Sequence, residues 1–354
     1  METLDICLAN YSLNQGNGID VTIAEFAREL AKSHNVRIAV IKNDMTIPGV
    51  EVMRYPASRP WRFRAVARDL DRQRFDLISS FYLPFDAVAT LAKTPHLLHD
   101  CGVAPLNTML HNRGELALWA EVHSFRLFSA RKAAMVLPIS GYLGQCFRKF
   151  YRYRGPMEVL PAGIEFPEKE PAPAGAEYGR FVLYVGRHMP YKGVDRLMEI
   201  FGEVRKEVGD DVHLVTIGRA ADHAYGNRLE TLARKIGNVH MLGFVPDVWP
   251  YYAGATVYAT CSAWEGEDRP VIEAQYMGKP AVSFDNCSHP EVVIHGTLAK
   301  DREEFKAALV KHLEEVRTDS SARRRVVDRF STQSIARQYL DIVKRLGFGA
   351  TPTH

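Results

Sequence analysis

Glu265 and Glu273 stand eight positions apart in WEGEDRPVIEAQYMGKP (264–280), with Pro270 between them. Pro270 suits the first turn of a helix, where its missing N–H costs nothing. Gly278 and Pro280 then stop that helix. The preceding VYATCS (257–262) reads as a buried strand. Glu265 is therefore expected in the loop after a strand's carboxyl end, and Glu273 in the first turn of the helix. Free N–H groups at a helix start bind phosphate. A carboxylate beside them can accept hydrogen bonds from ribose or sugar hydroxyls. The spacing suits a ligand carrying both groups. It also suits a Glu273 that only complements the helix dipole and a solvated Glu265.

A second constellation is YVGRHMPYKG (184–193). Gly186 ends an apolar run, Arg187 and Lys192 bracket the loop, and Gly193 opens a helix. Two cations beside a helix start are placed to hold a diphosphate, or they are ordinary charges on a surface turn. The order of a Walker A loop is absent. So is D-x-D, and Asp210-Asp211 reads as a turn.

These residues need strands and helices to position them. LDICLAN (4–10), a loop with Gly16 and Gly18, a helical pattern through Ile23, Phe26, Ala27, Leu30 and Ala31, and VRIAVIK (36–42) make a βαβ start. DLISS (76–80), PHLLHD (95–100), a helix at about 114–133, AMVLPIS (134–140) and MEVLPAG (157–163) complete the first half. EFPEKEPAPAGAEYG (165–179) has no periodicity and reads as a linker. The pattern then restarts with strands RFVLYVG, VHLVTIG, VHMLGF, VYATCS and PAVSF, alternating with helices at about 193–208, 226–236 and from 270. Residues 301–346 read as helical. The expected fold class is α/β, with two mostly parallel sheets that bind ligands at the carboxyl ends of their strands, here facing a central cleft.

Composition agrees with such a chain. Its 354 residues are 46% apolar and 25% charged, which suits about two domains. No apolar run reaches the roughly 20 residues of a membrane span. METLDICLAN lacks the basic start and apolar core of a signal peptide, so a cytoplasmic protein is expected. Five cysteines, Cys7, Cys101, Cys146, Cys261 and Cys287, are widely spaced without C-x-x-C and argue against a disulfide framework or zinc site. Thirteen scattered histidines show no ligand spacing. Residues 1–165 hold 20 Lys/Arg against 16 Asp/Glu, and the remainder 25 against 26, so any basic patch is local.

Taken together, YVGRHMPYKGVDRL, VHLVTIGR, VHMLGFVPD, ATVYATCSAWEGEDRPVIEAQYMGKPAV and HPEVV make the chain resemble a retaining glycosyltransferase of the GT-B fold, glycosyltransferase family 4 (glycosyl transferases group 1). PHLLHD, PIS-GYL and VLPAGIEF carry the resemblance more loosely in the first half. The resemblance implies two Rossmann-like domains: 1–165 for the acceptor and 166–335 for the nucleotide-sugar donor, with 336–354 a helix packing back on the first. It implies that Arg187 and Lys192 bind the donor diphosphate and stabilise the leaving group. Glu273 would hold the ribose, and Glu265 would contact the transferred sugar. Gly16, Gly18, Gly186 and Gly266 would let backbone approach the ligand. His99, ending PHLLHD, matches a sugar-contacting histidine. Catalysis is expected to fall to Arg187, Lys192, Glu265 and His99, with the donor's own phosphate helping to deprotonate the acceptor. No cofactor or metal is required. A UDP- or GDP-sugar is the expected donor, and a glycan, glycolipid or other hydroxyl compound the acceptor. Another GT-B enzyme, such as a nucleotide-sugar epimerase or a sugar-phosphate glycosyltransferase, and a catalytically weak glycan- or nucleotide-binding subunit are the alternatives.

The chain departs from the family's common Glu-Gly-Phe-Gly-Leu-Pro with Glu265-Gly266-Glu267-Asp268-Arg269-Pro270. Two added acids near an anion site oppose phosphate by about 1 kcal/mol each, and Arg269 offsets one. Three readings follow: Asp268 caps the helix, Glu267 and Asp268 read hydroxyls or an amino group on an unusual sugar, or the donor site is impaired. On the acceptor side, residues 57–75 hold Arg59, Arg62, Arg64, Arg68, Arg72 and Arg74 with Trp61 and Phe63, and FRKFYRYRG (147–155) is a second basic-aromatic cluster. Such segments suit peripheral contact with an anionic inner membrane surface and a lipid-linked acceptor, or a solvated helix face with two core aromatics. No nucleic-acid recognition motif accompanies the charge.

Overall fold

The computed structural model describes residues 2–15, 18–56, 59–102, 113–315 and 319–348. The chain forms two compact units, Met1–Glu165 with Phe330–His354, and Phe166–Arg329. Each is built on a parallel α/β sheet.

In the first unit the strands are β1 (Asp5–Ala9), β2 (Asn35–Val40), β3 (Glu51–Arg54), β4 (Leu77–Ser80), β5 (His96–Asp100) and β6 (Met135–Pro138), in the order β3-β2-β1-β4-β5-β6. Every pairing is parallel. The middle strands β4 and β5 are buried along their whole length. Helices on both faces of a parallel sheet require this, and it explains why these strands lack the apolar–polar alternation of a half-exposed strand. Helix α1 (Gly18–Leu30) lays Ile23, Ala24, Phe26, Ala27 and Leu30 on the core, at the spacing of one helical face. Helix α2 spans Phe63–Arg72, α3 Phe85–Leu91, α4 Arg113–Lys132 and α5 Gly141–Tyr151.

The second unit repeats the plan. Its strands are β7 (Arg180–Val185), β8 (Val212–Ile217), β9 (Val239–Gly243), β10 (Val257–Ala259), β11 (Ala281–Phe284) and β12 (Gly296–Ala299), in the order β9-β8-β7-β10-β11-β12. The helices are α6 (Val194–Val208), α7 (His223–Ile236), α8 (Trp249–Gly254), α9 (Arg269–Tyr276), α10 (His289–Val292), α11 (Arg302–Glu314) and α12 (Ser320–Phe330). In both sheets the strand order reverses direction beside the first strand, which opens a crevice at the carboxyl edge between the loops there.

Several boundaries differ from the sequence reading. MEVLPAG contributes one bridge, Met157 to Val136, and no strand. The short edge strands β3 and β12 carried no clear apolar signal because they are half-exposed. The 165–179 segment is not a free linker. The Phe166 ring stacks on Tyr276 at 4.2 Å, Tyr276 Oη donates to the Pro167 carbonyl at 2.7 Å, and Ala174 N donates to Pro250 O at 2.9 Å. These contacts pin the segment to the second unit. The return to the first unit begins at Phe330 rather than 336, where Ile164 N donates to the Phe330 carbonyl at 2.8 Å. Helix α13 (Thr332–Arg345) then buries Ile335, Ala336, Tyr339, Ile342 and Val343. The Tyr339 ring meets Phe26 edge-on at 5.1 Å, and its hydroxyl lies 2.7 Å from Ser79 Oγ.

A buried charge network fixes the carboxyl end of β5. Arg126 of α4 is 1% exposed. Its Nη2 donates to the His99 carbonyl and to Asp100 Oδ1, both at 2.9 Å, and its Nη1 lies 3.4 Å from Asp86 Oδ2. Burial alone would lower the guanidinium's affinity for its proton, but Asp100 and Asp86 outweigh that and hold it above its ordinary value. Removing the cation would leave two buried carboxylates uncompensated. Arg126→Met is therefore expected to destabilise the first unit by about 3–5 kcal/mol, read as a lower urea midpoint. An unchanged midpoint would show that the network carries no stability.

Candidate active site

The two constellations meet because β7 and β10 are paired neighbours, with Val257 beside Val182 and Tyr258 beside Leu183. Each loop leaves the sheet at its carboxyl edge, on either side of the point where strand order reverses. After β7 the backbone turns at Gly186. It packs so closely there that a Cβ on Gly218 would lie 1.9 Å from the Gly186 carbonyl oxygen. A 3-10 turn, Pro190–Lys192, follows and ends on Gly193. Gly193 is left-handed at φ 64°, and a Cβ there would come within 2.5 Å of the Cys261 carbonyl oxygen. Glycine alone meets both demands. Ala263 N donates to Tyr191 O at 2.7 Å, so the loop after β10 is held directly against the Lys192 turn.

This seam brings Lys192 Nζ to 2.5 Å from Glu265 Oε1. The side chains are 20% and 8% exposed. Burial would lower Lys192, but the carboxylates of Glu265 and Asp268 outweigh it and hold the ammonium above its ordinary value. Burial pushes the Glu265 carboxyl up, and Asp268 adds to this, while Lys192 and a hydrogen bond from Ser262 oppose it. The result is a cation fixed at the strand ends with a carboxylate behind it. Arg187 lies exposed in the same loop.

The remaining candidates divide. Gly266 is buried and Glu267 half-buried between Glu265 and Asp268. Asp268 occupies the N-cap position of α9, but its side chain makes no capping hydrogen bond. Its Oδ2 turns instead to His289 Nε2 at 3.2 Å. The expected capping role is therefore corrected: a buried imidazole outcompetes the helix N–H groups. Glu273 is in the second turn of α9, not the first, because the helix begins at Arg269. Its carboxylate accepts from Tyr252 Oη at 2.8 Å and faces Arg269 Nε at 3.7 Å. Neither Tyr252 nor His289 was singled out by sequence. HPEVV contains His289, but nothing in the linear pattern names its partner 21 residues away.

In the first unit Gly16 lies outside the described residues. Gly18 opens α1, exposed and with open space where a Cβ would sit. His99 is 4% exposed and stacks on Phe81 at 4.2 Å. Its Nε2 has no hydrogen-bond partner among the described residues, and burial lowers the imidazole to about 3. It is a neutral ring on an apolar cavity lined by Ile23, Phe26, Phe81, Ile139, Leu160 and Ile335. Trp61, read as one of two core aromatics, is 69% exposed, whereas Phe63 is buried.

Both halves of the chain resemble known proteins. The family model for glycosyl transferases group 1 matches residues 166–330, and that for Glycosyltransferase Family 4 matches residues 16–166. O-antigen chain mannosyltransferase B of Escherichia coli is 30% identical over 243 residues, which is 68% of this chain and 58% of that protein. MMP alpha-(1->4)-mannosyltransferase of Mycolicibacterium hassiacum is 28% identical over 204 residues, 53% of this chain and 48% of that protein. The chain thus spans less than two thirds of these relatives. Anabaena HepE, solved in complex with UDP and glucose, superposes with a TM-score of 0.77 at 18% identity, covering 96% of this chain and all of that one. WaaG, a glycosyltransferase involved in lipopolysaccharide biosynthesis, gives 0.67 at 18% identity over 98% of this chain and all of that one. With both halves matched in order and the double parallel-sheet fold in place, the chain is a GT-B glycosyltransferase resembling family 4.

Proposed function

We propose that the chain is a retaining glycosyltransferase that moves a hexosyl group from a UDP- or GDP-sugar to a hydroxyl of a glycan or glycolipid. The observation that carries this reading is the part-buried Lys192–Glu265 pair at the carboxyl edge of β7 and β10, with Arg187 in the same loop. Departure of a nucleoside diphosphate builds negative charge on the leaving oxygen. A preorganised ammonium lowers that barrier without having to reorient, and the Arg187 guanidinium supplies a second cation from the same loop. Glu265 both holds Lys192 in place and offers oxygens to sugar hydroxyls. Glu273, steadied by Tyr252 and Arg269, is assigned to the ribose hydroxyls in this reading. The cations take the part a metal plays elsewhere, so no metal is required. No side chain is assigned as general base. The two curated relatives are mannosyltransferases and HepE was solved with UDP, which makes GDP-mannose and UDP-glucose the first donors to test.

Lys192→Ala and Arg187→Ala should each lower turnover at least 100-fold, about 2.7 kcal/mol of transition-state stabilisation, while the fold survives. A thermal-shift panel of UDP-, GDP-, ADP- and dTDP-sugars should give one base with a clear upward shift. A saturating ligand at 100 times its dissociation constant contributes about 2.7 kcal/mol. Near-normal transfer by either variant would remove the diphosphate assignment. A donor converted with no acceptor present would favour an epimerase.

A membrane-bound acceptor is the second part of the proposal. In α2 the residues Phe63, Val66, Ala67 and Leu70 face inward, while Arg64, Arg68 and Arg72 are exposed. Arg59 lies over the exposed Trp61 ring at 5.1 Å. Phe63 touches Phe125 of α4, and His123 of α4 touches Phe150 of α5. Arg148, Lys149, Phe150, Arg152 and Arg154 are exposed as well. The two basic-aromatic clusters are thus joined across α4. No helix among the described residues is long and apolar enough to cross a membrane, so contact would be peripheral. Each basic side chain at an anionic surface adds about 1 kcal/mol. Arg64→Glu with Arg68→Glu should therefore weaken co-sedimentation with phosphatidylglycerol vesicles by at least tenfold. Equal binding to neutral phosphatidylcholine would defeat the electrostatic reading.

A further inference from the structure

Asp268 and His289 are 3% and 0% exposed. They come from different elements: Asp268 precedes α9 in the loop after β10, and His289 opens α10 after β11. The carboxylate Oδ2 lies 3.2 Å from His289 Nε2. On the other side of the ring, Nδ1 is 3.1 Å from the Phe284 carbonyl oxygen and 2.8 Å from Asn286 Oδ1. The orientation of Asn286 is fixed independently, because its Nδ2 donates to the Ser262 carbonyl at 3.3 Å. Carbonyl oxygens only accept, so Nδ1 carries a proton; a carboxylate facing Nε2 would also only accept, and Nε2 would then carry one too. A ring with acceptors at both nitrogens is an imidazolium, and a charge-assisted hydrogen bond to a carboxylate is the strong form of this contact.

The pair sits three residues beyond Glu265. The loop is thus held at one end by Lys192 and at the other by His289, with Gly266 and Glu267 between. We propose that His289 is a positioning residue of the donor site: its positive charge neutralises Asp268 and fixes the Glu265–Asp268 loop for an incoming sugar nucleotide. This rests on the donor reading above. Without the imidazolium, the buried Asp268 would have no hydrogen-bonded counter-charge, only the field of Lys192, at the start of α9, where it would repel phosphate. With it, the Asp268 part of the acidic departure is compatible with a working anion site.

The titratable groups facing the pair are Cys287, whose Sγ lies 3.6 Å from Nδ1, and, around Asp268, Lys192, Glu265 and the buried phenols of Tyr184, Tyr252 and Tyr258. Burial would lower His289, but the hydrogen bond to Asp268 leads the opposing effects, and the imidazole rises from 6.5 to about 10. Because the folded value is the higher one, the stability this adds is complete below about pH 6.5 and is lost as pH rises through about 10.

The test uses His289→Gln, Asp268→Asn and the double variant, with UDP-glucose and GDP-mannose as probes in calorimetry. His289→Gln should weaken binding of the responding sugar nucleotide at least tenfold. Asp268→Asn should weaken it clearly less than His289→Gln does, since the introduced amide can still hydrogen-bond Nε2 and removes an opposing charge. The double variant should recover most of the loss, a pattern that a merely structural role would not produce. Nitrogen-15 spectra of the wild-type ring at pH 7.5 should show both nitrogens protonated. If His289→Gln fails to fold, the double variant and the ring spectra still decide. One unprotonated nitrogen, or donor binding unchanged in His289→Gln or equally weakened in Asp268→Asn, would overturn the proposal. A doubly protonated ring in a wild-type protein that binds neither probe nor any nucleotide of the panel would instead overturn the donor reading, and the positioning role with it.

Discussion

The contact between Lys192 and Glu265 joins loops 73 residues apart in the chain. Taking two charges out of water costs several kcal/mol for each, which their mutual attraction offsets only when geometry and further hydrogen bonds are good. Here the loops are aligned by a strand pairing, a left-handed glycine against Cys261 and a backbone hydrogen bond from Ala263 to Tyr191. The ammonium is consequently poised before any ligand arrives. Charge that develops on a leaving group would meet a cation already in place, which is the condition for large rate gains from electrostatics.

A cationic site surrounded by acids needs its acids accounted for. Glu265 is matched by Lys192, Glu273 faces Arg269 and accepts from Tyr252, and Asp268 is matched by His289. Three carboxylates near α9, Glu265, Asp268 and Glu273, thus have specific counter-groups. In the proposed donor site the helix start would keep its attraction for anions to the extent that this negative charge is met locally.

The first unit uses burial differently. Arg126 holds the end of β5 with two carboxylates and a carbonyl, a rigid arrangement that leaves His99 immediately before it as a neutral ring. A neutral imidazole with an unpartnered nitrogen can exchange a hydrogen bond with a hydroxyl without carrying charge into an apolar cavity. The exposed face of α2 keeps its arginines in water because Phe63, Val66, Ala67 and Leu70 take the whole inward stripe.

What the linear sequence determined by itself was the order of elements and the residue types at the strand ends. Buried parallel strands are continuous apolar runs, and loops after them announce themselves through glycine, proline and charge. RFVLYVG, VYATCS and PHLLHD were legible for that reason, and so was the placement of Lys192 and Glu265 beyond two strands. Tertiary structure decided everything that depends on partners distant in the chain. Asp268 has the right residue type and position for a helix cap, and local rules predict one. A histidine delivered by the next strand's loop took its side chain instead. Glu273 fell one residue deeper, into the second turn, because the helix start moved to Arg269, and Phe330 rejoined the first unit through a backbone contact with Ile164. Periodicity reports which face a residue shows, but it does not report which group waits on that face.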